Sequence, residues 1–399
     1  MADAPDDGFA PTVPSVEVAE LLPRLDRGDG ILLLDVRNEE EHAGWRIEAR
    51  HAVDTIHLPY FEFIEDEEGS IAKVPRDREV VVLCARGGSS EMVAGLLGEA
   101  GIHSRNVSGG MIAYGVYLEA VRVPLPAEAA ARYELWQVNR RGKGCLSYVV
   151  VSGGEAVVVD PSRHVEWYEE FVTARGGRVV RVLDTHVHAD HVSGGLALSR
   201  AAGAPYTVAA GEGFELRHPV TPLEDGERIR VGGASGVELE VRTICTPGHT
   251  PGSTSYVVDG RHLLTGDTLF VAGVGRPDLG GHVEEWGRAL FETLHTRLGD
   301  LPDDTVILPA HYGNVSEMAE GGVVSGVLGL LRRRVPEMRI PTPEAFVEAV
   351  RGAVKDAPPA YSEIIRVNLG LQPATTDKIE EWELGKNQCA VAVAEGAPS

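Results

Sequence analysis

The sequence predicts an α/β protein of several domains, and three observations lead to that prediction. The chain has 399 residues, more than one domain usually holds. Short apolar strands alternate with helical patterns up to about residue 123, as they do around a parallel sheet. Strands and glycine-rich turns resume near residue 135, and the segment after about residue 319 reads as helical. We therefore predict a disordered tail at 1–13, domains at 14–123 and 135–318, a linker at 124–134, and a helical extension at 319–399 that packs on the second domain.

The composition indicates which binding partners and which cellular compartment to expect. The formal net charge is −23, which disfavours nucleic acid and anionic membranes as partners because both require a basic surface. The cysteines lie far apart and form no CxxC pair, which favours a reducing environment. The N-terminus lacks the basic and apolar regions of a signal peptide, and no run of about 18 apolar residues occurs. We expect a cytoplasmic protein.

The first domain carries a cysteine at the end of an apolar strand. The stretch VVVLCARGGSS reads as a strand, a glycine-rich loop and the start of a helix, with Cys84 directly after the strand. Backbone N–H groups and the helix dipole would lower the thiol pKa there and would cradle an anion. We predict Cys84 as a catalytic residue, with a substrate-binding loop formed by Arg86, Gly87, Gly88 and Ser89.

This domain resembles the rhodanese family of sulfurtransferases over about residues 14–123. The resemblance is carried by LLLDVRNEEEHAG, by the cysteine loop and by VSGGMIAYG. It implies that Cys84 carries a sulfane sulfur as a persulfide. Active rhodaneses often have an arginine five residues after the cysteine, whereas this chain has Ser89 there. We therefore expect a persulfide relay rather than an enzyme specific for thiosulfate.

The second domain opens with LSYVVVSGGEAVVVDPS, which reads as a hairpin of two apolar strands. A helix and a strand follow, and then the stretch THVHADH places three histidines and an aspartate together. Further candidate ligands come directly after apolar strands, where strand ends present site residues. Imidazole and carboxylate groups suit zinc, iron and manganese. The predicted metal residues are His186, His188, Asp190, His191, His249, Asp267 and His311.

The pattern HxHxDH, then GHT, then GD after a strand, then AH resembles the metallo-β-lactamase superfamily over about residues 135–318. The resemblance implies an αββα sandwich with the metal at one edge of two sheets. In a glyoxalase II-like hydrolase, two Zn²⁺ ions would share the seven residues, with Asp267 bridging, and a hydroxide would attack a thioester. In a persulfide dioxygenase, one Fe(II) would take His186, His249 and Asp267. The other four residues would then form a second metal site or surround the ligands.

A second motif favours the dioxygenase. The stretch GVGRPDLGG follows Asp267 and resembles the GRxD segment of persulfide dioxygenases. By that resemblance Arg276 would bind a carboxylate of the thiol carrier, and Asp278 would orient a ligand histidine.

We therefore predict an iron-dependent persulfide dioxygenase coupled to a sulfurtransferase. It would oxidise a small thiol persulfide with O₂ to sulfite and free thiol. The first alternative is a dinuclear zinc thioester hydrolase in which Asp190 is catalytic. The second alternative is a non-enzymatic sulfur carrier or sensor. Relatives of this kind are often dimers or tetramers, and we expect a homo-oligomer.

Overall fold

The computed structural model describes residues 13–209, 211, 215–233, 238–352 and 360–389. The predicted tail at 1–13 lies outside these residues except for Val13. The chain divides into two compact units, residues 1–117 and 118–399.

The first unit is built on a sheet of five parallel strands in the order β1-β5-β4-β2-β3. Its strands are β1 (Ser15–Val16), β2 (Leu32–Asp35), β3 (Asp54–His57), β4 (Val80–Leu83) and β5 (Ser104–Val107). Its helices are α1 (Val18–Arg27), α2 (Glu39–Gly44), α3 (Tyr60–Glu65), α4 (Glu67–Ala72), α5 (Gly88–Glu99) and α6 (Gly110–Val116). The predicted parallel α/β fold is confirmed.

The central strands of this sheet are apolar because both of their faces are covered. Every residue of β2 and β4 is buried, and apolar clusters lie on the two faces. Asp35 pairs in register with Leu83, so the carboxyl ends of β2 and β4 coincide. Cys84 therefore lies at the edge of the sheet where parallel strands usually present site residues.

The second unit contains two six-stranded sheets. The first has the order β11-β10-β9-β8-β7-β6 and the second β12-β13-β14-β15-β16-β17. The strands of the first sheet are β6 (Glu119–Arg122), β7 (Tyr133–Arg140), β8 (Cys145–Ser152), β9 (Glu155–Val159), β10 (Arg178–Leu183) and β11 (Tyr206–Thr207). Those of the second are β12 (Arg228–Val231), β13 (Leu239–Cys245), β14 (Thr254–Val258), β15 (His262–Gly266), β16 (Val306–Pro309) and β17 (Gly326–Val327).

The second unit also contains α-helices. They are α7 (Ala127–Ala130), α8 (Val165–Thr173), α9 (Gly195–Ala202), α10 (Val283–Glu292), α11 (Leu328–Arg334), α12 (Pro343–Gly352), α13 (Tyr361–Asn368) and α14 (Thr376–Trp382). One apolar cluster lies between the sheets, a second includes residues of α8 and α9, and a third includes residues of α10, α11 and α12. The predicted αββα sandwich is confirmed.

Two boundaries differ from the prediction. The segment Glu119–Arg122 was predicted to close the first domain, but as β6 it pairs antiparallel with β7 in the second unit. The short sequence EAVR does not indicate which strand it pairs with, and its partner β7 begins only after ten further residues. The predicted linker at 124–134 includes α7 and the first residues of β7.

The hairpin of β8 and β9 agrees with its prediction. Ser152 pairs with Glu155 across a turn in which Gly153 and Gly154 have φ of 52° and 79°. Two successive positive φ values are required by a two-residue hairpin loop, and glycine adopts them without strain.

The helical extension contacts the rest of the second unit at several points. Phe346 of α12 belongs to the same apolar cluster as Leu290 of α10. Leu369, which follows α13, belongs to the cluster that includes Leu198 of α9. Within the described residues, none of the helices has the length and apolar character required to cross a bilayer.

Candidate metal centre and thiol loop

The seven predicted metal residues converge at one end of the second unit, and all of them are buried. Four come from the loop after β10. His249 lies in the loop after β13, Asp267 directly follows β15, and His311 follows β16. The loop 185–191 passes close to the end of β15, because a Cβ on Gly266 would lie 2.5 Å from Thr185 Oγ1. Gly266 has a φ of 53°, so both its backbone and this approach favour glycine.

Three of these residues form an open set of ligand atoms. His186, His249 and Asp267 each offer one atom, and these atoms lie within 4.8 Å of one another. Asp267 Oδ2 is 3.7 Å from His186 Nε2 and 3.6 Å from His249 Nε2. Within the described part of the chain, His186 Nε2 and Asp267 Oδ2 are buried without a hydrogen-bond partner. Such atoms need a ligand, and their spacing fits one ion with bonds of about 2.0–2.2 Å.

The hydrogen bonds behind these histidines fix their tautomers. Thr185 Oγ1 lies 3.0 Å from Asp160 Oδ2 and 2.9 Å from His186 Nδ1. Because the hydroxyl donates to the carboxylate, it accepts the proton on Nδ1 of His186. Nδ1 of His249 donates to the carbonyl oxygen of Arg276 over 2.9 Å. Both rings therefore present an Nε2 lone pair to the ion.

Burial keeps these two histidines neutral. Burial lowers the pKa of His186 well below its usual range, and the neighbouring ring of His188 adds to that effect. Burial also lowers the pKa of His249, although the carboxylate of Asp267 opposes this. Neutral imidazole is the form that binds metals, so the set is ready to hold an ion near neutral pH.

Three of the other four residues, Asp190, His191 and His311, form a closed cluster of hydrogen bonds with Cys145. Asp190 Oδ1 accepts from His191 Nδ1 over 3.0 Å, and Asp190 Oδ2 accepts from His311 Nε2 over 3.0 Å. The Cys145 thiol donates to the same Oδ2 over 3.1 Å. Nδ1 of His311 lies 2.6 Å from Asp267 Oδ1. Both nitrogens of His311 and both oxygens of Asp190 are therefore engaged.

The pKa values of His191 and His311 in the closed cluster are shifted in the opposite direction to those of the histidines in the open set. Burial disfavours the charged form of His191, yet the Asp190 carboxylate outweighs it and raises the pKa of His191 to about 10. The carboxylates of Asp267 and Asp190 likewise raise the pKa of His311 well above its usual range, against the effect of burial. Protonated imidazole offers no lone pair to a metal. Hydrogen bonds from protonated histidines, rather than bonds to a metal, therefore connect the residues of this cluster.

His188 belongs to neither group. Its Nε2 donates to Asp160 Oδ1 over 3.1 Å, and its buried Nδ1 has no hydrogen-bond partner among the described residues. Asp160 therefore organises two residues of the loop at once. It adopts a φ of 52°, which is uncommon for a residue other than glycine. The sequence analysis missed this residue, although its position directly after the strand AVVV was a usable signal.

The GRPD segment differs from its prediction. Arg276 is buried, and its guanidinium pairs with Asp278 through bonds of 3.1 and 2.7 Å. The ring of His249 donates to the backbone carbonyl of Arg276, and Asp278 contacts the side chain of that arginine rather than a ligand histidine. The sequence suggested the Asp278 carboxylate as the acceptor for the histidine, but the acceptor is the backbone carbonyl of Arg276.

The C-terminal segment reaches the same centre, which the sequence analysis did not predict. Glu383 Oε1 accepts from the backbone N–H of Val192 over 2.8 Å, and its Oε2 pairs with Arg140 over 2.8 Å. The carbonyl of Cys389 accepts from the backbone N–H of Arg276 over 3.0 Å. The thiol of Cys389 lies within 4.8 Å of ligand atoms of Asp267 and His311.

The thiol loop of the first unit has the predicted position but is shorter than expected. Helix α5 begins at Gly88, so Gly88 and Ser89 belong to its first turn rather than to the loop. Cys84 is 6% exposed, and its Sγ accepts from the Gly87 backbone N–H over 3.0 Å. The hydroxyl of Ser90 lies 3.1 Å from the same sulfur and donates to Asn106 Oδ1 over 2.7 Å.

Comparisons with known proteins identify both units. The family model "Metallo-beta-lactamase superfamily" matches residues 140–311, and the "Rhodanese-like domain" model matches residues 17–115. A "Hydroxyacylglutathione hydrolase" from Methylococcus capsulatus is 35% identical over 211 residues, which are 52% of this chain and 74% of that protein. The chain belongs to the metallo-beta-lactamase superfamily and carries a rhodanese-like domain.

A second group of relatives has a different named activity. The human protein "Persulfide dioxygenase ETHE1, mitochondrial" is 31% identical over 160 residues, which are 39% of this chain and 59% of that protein. The crystal structure of ETHE1 from Myxococcus xanthus has a TM-score of 0.51 and 26% identity, and the match covers 59% of this chain and 97% of that chain. Because relatives with both activities have similar identity, the geometry of the site must distinguish them.

Proposed function

We propose that the second unit is a persulfide dioxygenase that holds one Fe(II) on His186, His249 and Asp267. The observation that carries this proposal is the difference between the two halves of the centre. Among the described residues, the open set leaves two buried ligand atoms without hydrogen-bond partners, whereas every side-chain oxygen and nitrogen that Asp190 and His311 could give to a second ion is already engaged. Two histidines and one carboxylate with open positions are the ligand set of non-haem Fe(II) oxygenases.

The reaction requires a redox-active ion and a reduced sulfur. A thiol persulfide, one O₂ and one water give the free thiol, sulfite and two protons. The S–S bond breaks, the outer sulfur is oxidised and O₂ is reduced. Fe(II) held by the three residues would supply the redox chemistry that lets O₂ react with the persulfide.

The chain's own residues prepare the site for this chemistry. Thr185 and the carbonyl of Arg276 fix the ligand rings, and His311 holds Asp267 through the oxygen that does not face the ion. Groups behind the ligands typically change metal affinity or activity by about 10–100-fold. The buried position of the open set also limits contact between the reacting groups and bulk water.

The experiment that tests this function is anaerobic purification, elemental analysis and oxygen uptake with glutathione persulfide as the probe. We expect about one iron per chain and persulfide-dependent O₂ uptake with release of sulfite. Asp267→Ala should lose both, and His103→Ala, an exposed histidine of the first unit, should change neither.

The alternative function is a dinuclear zinc thioester hydrolase. It is favoured by His188 Nδ1, which has no hydrogen-bond partner in the described part of the chain and adds a lone pair beside the open set. It predicts two zinc ions per chain, no oxygen uptake and cleavage of S-lactoylglutathione. That combination would overturn the dioxygenase. A carrier or sensor that depends on Cys84 alone predicts instead that His249→Ala leaves function intact.

For the first unit, we propose that Cys84 accepts sulfane sulfur and passes it to a small thiol. The support is the position of Cys84 directly after β4, where the Gly87 N–H donates to its sulfur and the Ser90 hydroxyl lies 3.1 Å from it. Cys84→Ser should abolish sulfur transfer to glutathione while leaving oxygen uptake with preformed persulfide unchanged. Cys245→Ser is the matched control. Unchanged sulfur transfer in the Cys84 variant would contradict this role.

A further inference from the structure

We propose that Cys145 decides how many ions the centre holds, because its thiol closes the second metal pocket through Asp190. This inference rests on the proposed mononuclear function and assigns a positioning role to a residue outside the ligand set. Its basis is the meeting of Cys145, Asp190, His191 and His311, whose candidate ligand atoms lie within 4.8 Å of one another.

The backbone holds Cys145 firmly beside His311. Cys145 begins β8, and it forms an isolated antiparallel bridge with His311, which follows β16. On either side of it, Leu146 N–H donates to the carbonyl of Ala310 over 2.7 Å, and Tyr312 N–H donates to the carbonyl of Gly144 over 3.2 Å. The bridge links β8 of one sheet to the segment after β16 of the other. The backbone of Cys145 is therefore held beside His311, and its Sγ lies 3.1 Å from Asp190 Oδ2.

The thiol occupies an oxygen that a second ion would need. Asp190 Oδ2 accepts from Cys145 over 3.1 Å and from His311 over 3.0 Å, while Oδ1 accepts from His191. Three donors thus converge on one carboxylate. An ion could bind here only by displacing protons from these donors and finding room beside the sulfur.

Cys145 meets Asp190 as a hydrogen-bond donor. Its side chain is buried, and its S–H donates to Asp190 Oδ2 over 3.1 Å, so this contact directs a proton and not a sulfur lone pair at the carboxylate. The thiol of Cys389 lies on the Asp267 side of His311, so a second sulfur also borders this pocket.

Removal of the thiol should therefore open the second pocket. In Cys145→Ala, Asp190 loses one donor and the pocket gains the volume of the sulfur atom. In Cys145→Ser, the hydroxyl can still donate to Asp190. We expect about one retained ion per chain in the wild type and in Cys145→Ser, but about two in Cys145→Ala.

The experiment loads each metal-free protein with excess Zn²⁺, removes free ion by desalting and measures zinc per chain. Cys84→Ala is the control, since it removes a buried thiol from the first unit. Thermal melting of each variant establishes that it is folded. One ion in the wild type with two in Cys145→Ala supports the proposal, and equal numbers in these two proteins overturn it.

Cobalt gives a second readout that does not depend on activity. A thiolate-to-cobalt charge-transfer band in the Co²⁺-loaded wild type, absent from Cys145→Ala, would make Cys145 a ligand and would overturn its role as a barrier. Failure of the proposed function is distinguishable. Absence of oxygen uptake in an iron-loaded wild type would reject the dioxygenase. The number of zinc ions per chain would still test the proposed role of Cys145.

Discussion

The open set and the closed cluster are the two halves of the metal centre. Both contain histidines and a carboxylate, but they differ in the hydrogen-bond partners of these side chains. His186, His249 and Asp267 offer ligand atoms within 4.8 Å of one another, and among the described residues His186 Nε2 and Asp267 Oδ2 have no hydrogen-bond partner. Asp190, His191 and His311 are joined to one another by protons. The difference shows that residue type alone does not define a metal ligand. The hydrogen bond on the far side of each ring determines whether it offers a lone pair or a proton.

The strongest test of this comparison removes one histidine from each half. His249→Ala deletes a ligand of the open set and should lower oxygen uptake and iron content by at least about 100-fold. His191→Ala removes only a donor to Asp190, so we expect about a 10-fold loss with iron retained. Parallel measurement of iron content and oxygen uptake checks both. Equal loss of iron in the two variants would remove the distinction between the halves.

The next largest effect concerns the anchor of the closed half. Glu383 is buried and pairs with Arg140 and Arg163, so Glu383→Gln would remove the carboxylate that both arginines share. We expect a loss of about 3 kcal/mol in the free energy of unfolding, which denaturant titration can measure. Glu381→Gln, the same change at an exposed residue of α14, is the matched control and should leave that free energy close to the wild-type value.

The same residue predicts a pH dependence. Burial alone would raise the pKa of Glu383, but Arg140 and Arg163 outweigh burial and lower it to about 2 from an ordinary value of 4.5. A lowered folded-state pKa stabilises the protein above pH 4.5, and this contribution is lost as the pH falls toward 2. The stability difference between wild type and Glu383→Gln should therefore shrink across that range. A constant difference would contradict the assigned charge.

A smaller effect is expected at the centre of the closed half. Asp190→Asn keeps the shape of the side chain but replaces an acceptor by a donor that faces His311 or His191. Because Asp190 only supports the ligand Asp267 through His311, we expect about a 10-fold loss of oxygen uptake. In a dinuclear hydrolase the same change would remove a ligand and abolish thioester cleavage. Steady-state assays with both probes separate these outcomes.

The smallest effect is expected behind the open half. Thr185→Val removes the hydroxyl that accepts the Nδ1 proton of His186 and donates to Asp160. The ring keeps its position in the core but loses its fixed tautomer. We expect iron affinity to fall by about 10-fold, while the maximal oxygen uptake at saturating iron stays close to that of the wild type. Iron titration followed by oxygen uptake measures both quantities.

Local patterns predicted most of this centre. The loop string THVHADH placed His186, His188, Asp190 and His191 together, and apolar strands that end in GD or AH indicated two further ligands. Each signal can be read from a few neighbouring residues. The fold then brings the ends of these strands together, as a sandwich of this kind does. The parallel sheet and the cysteine loop of the first unit were predictable for the same reason.

The residues that separate the two halves were not predictable, because they depend on contacts between distant segments. Cys145 meets His311 only through the bridge between β8 and the end of β16. Glu383 and Cys389 reach the centre from the C-terminal segment, whose sequence carries no ligand motif. The strand β6 was assigned to the wrong domain because its pairing partner, not its own sequence, determines where it belongs.

The most direct test of the central claim is an anaerobic Fe(II) titration of the metal-free chain, with persulfide-dependent oxygen uptake measured at each step. The account predicts that uptake rises in proportion to added iron and saturates at about one equivalent per chain, where binding also ends. If binding continues to about two equivalents and activity appears only with the second, the closed half is a metal site and the comparison between the halves fails.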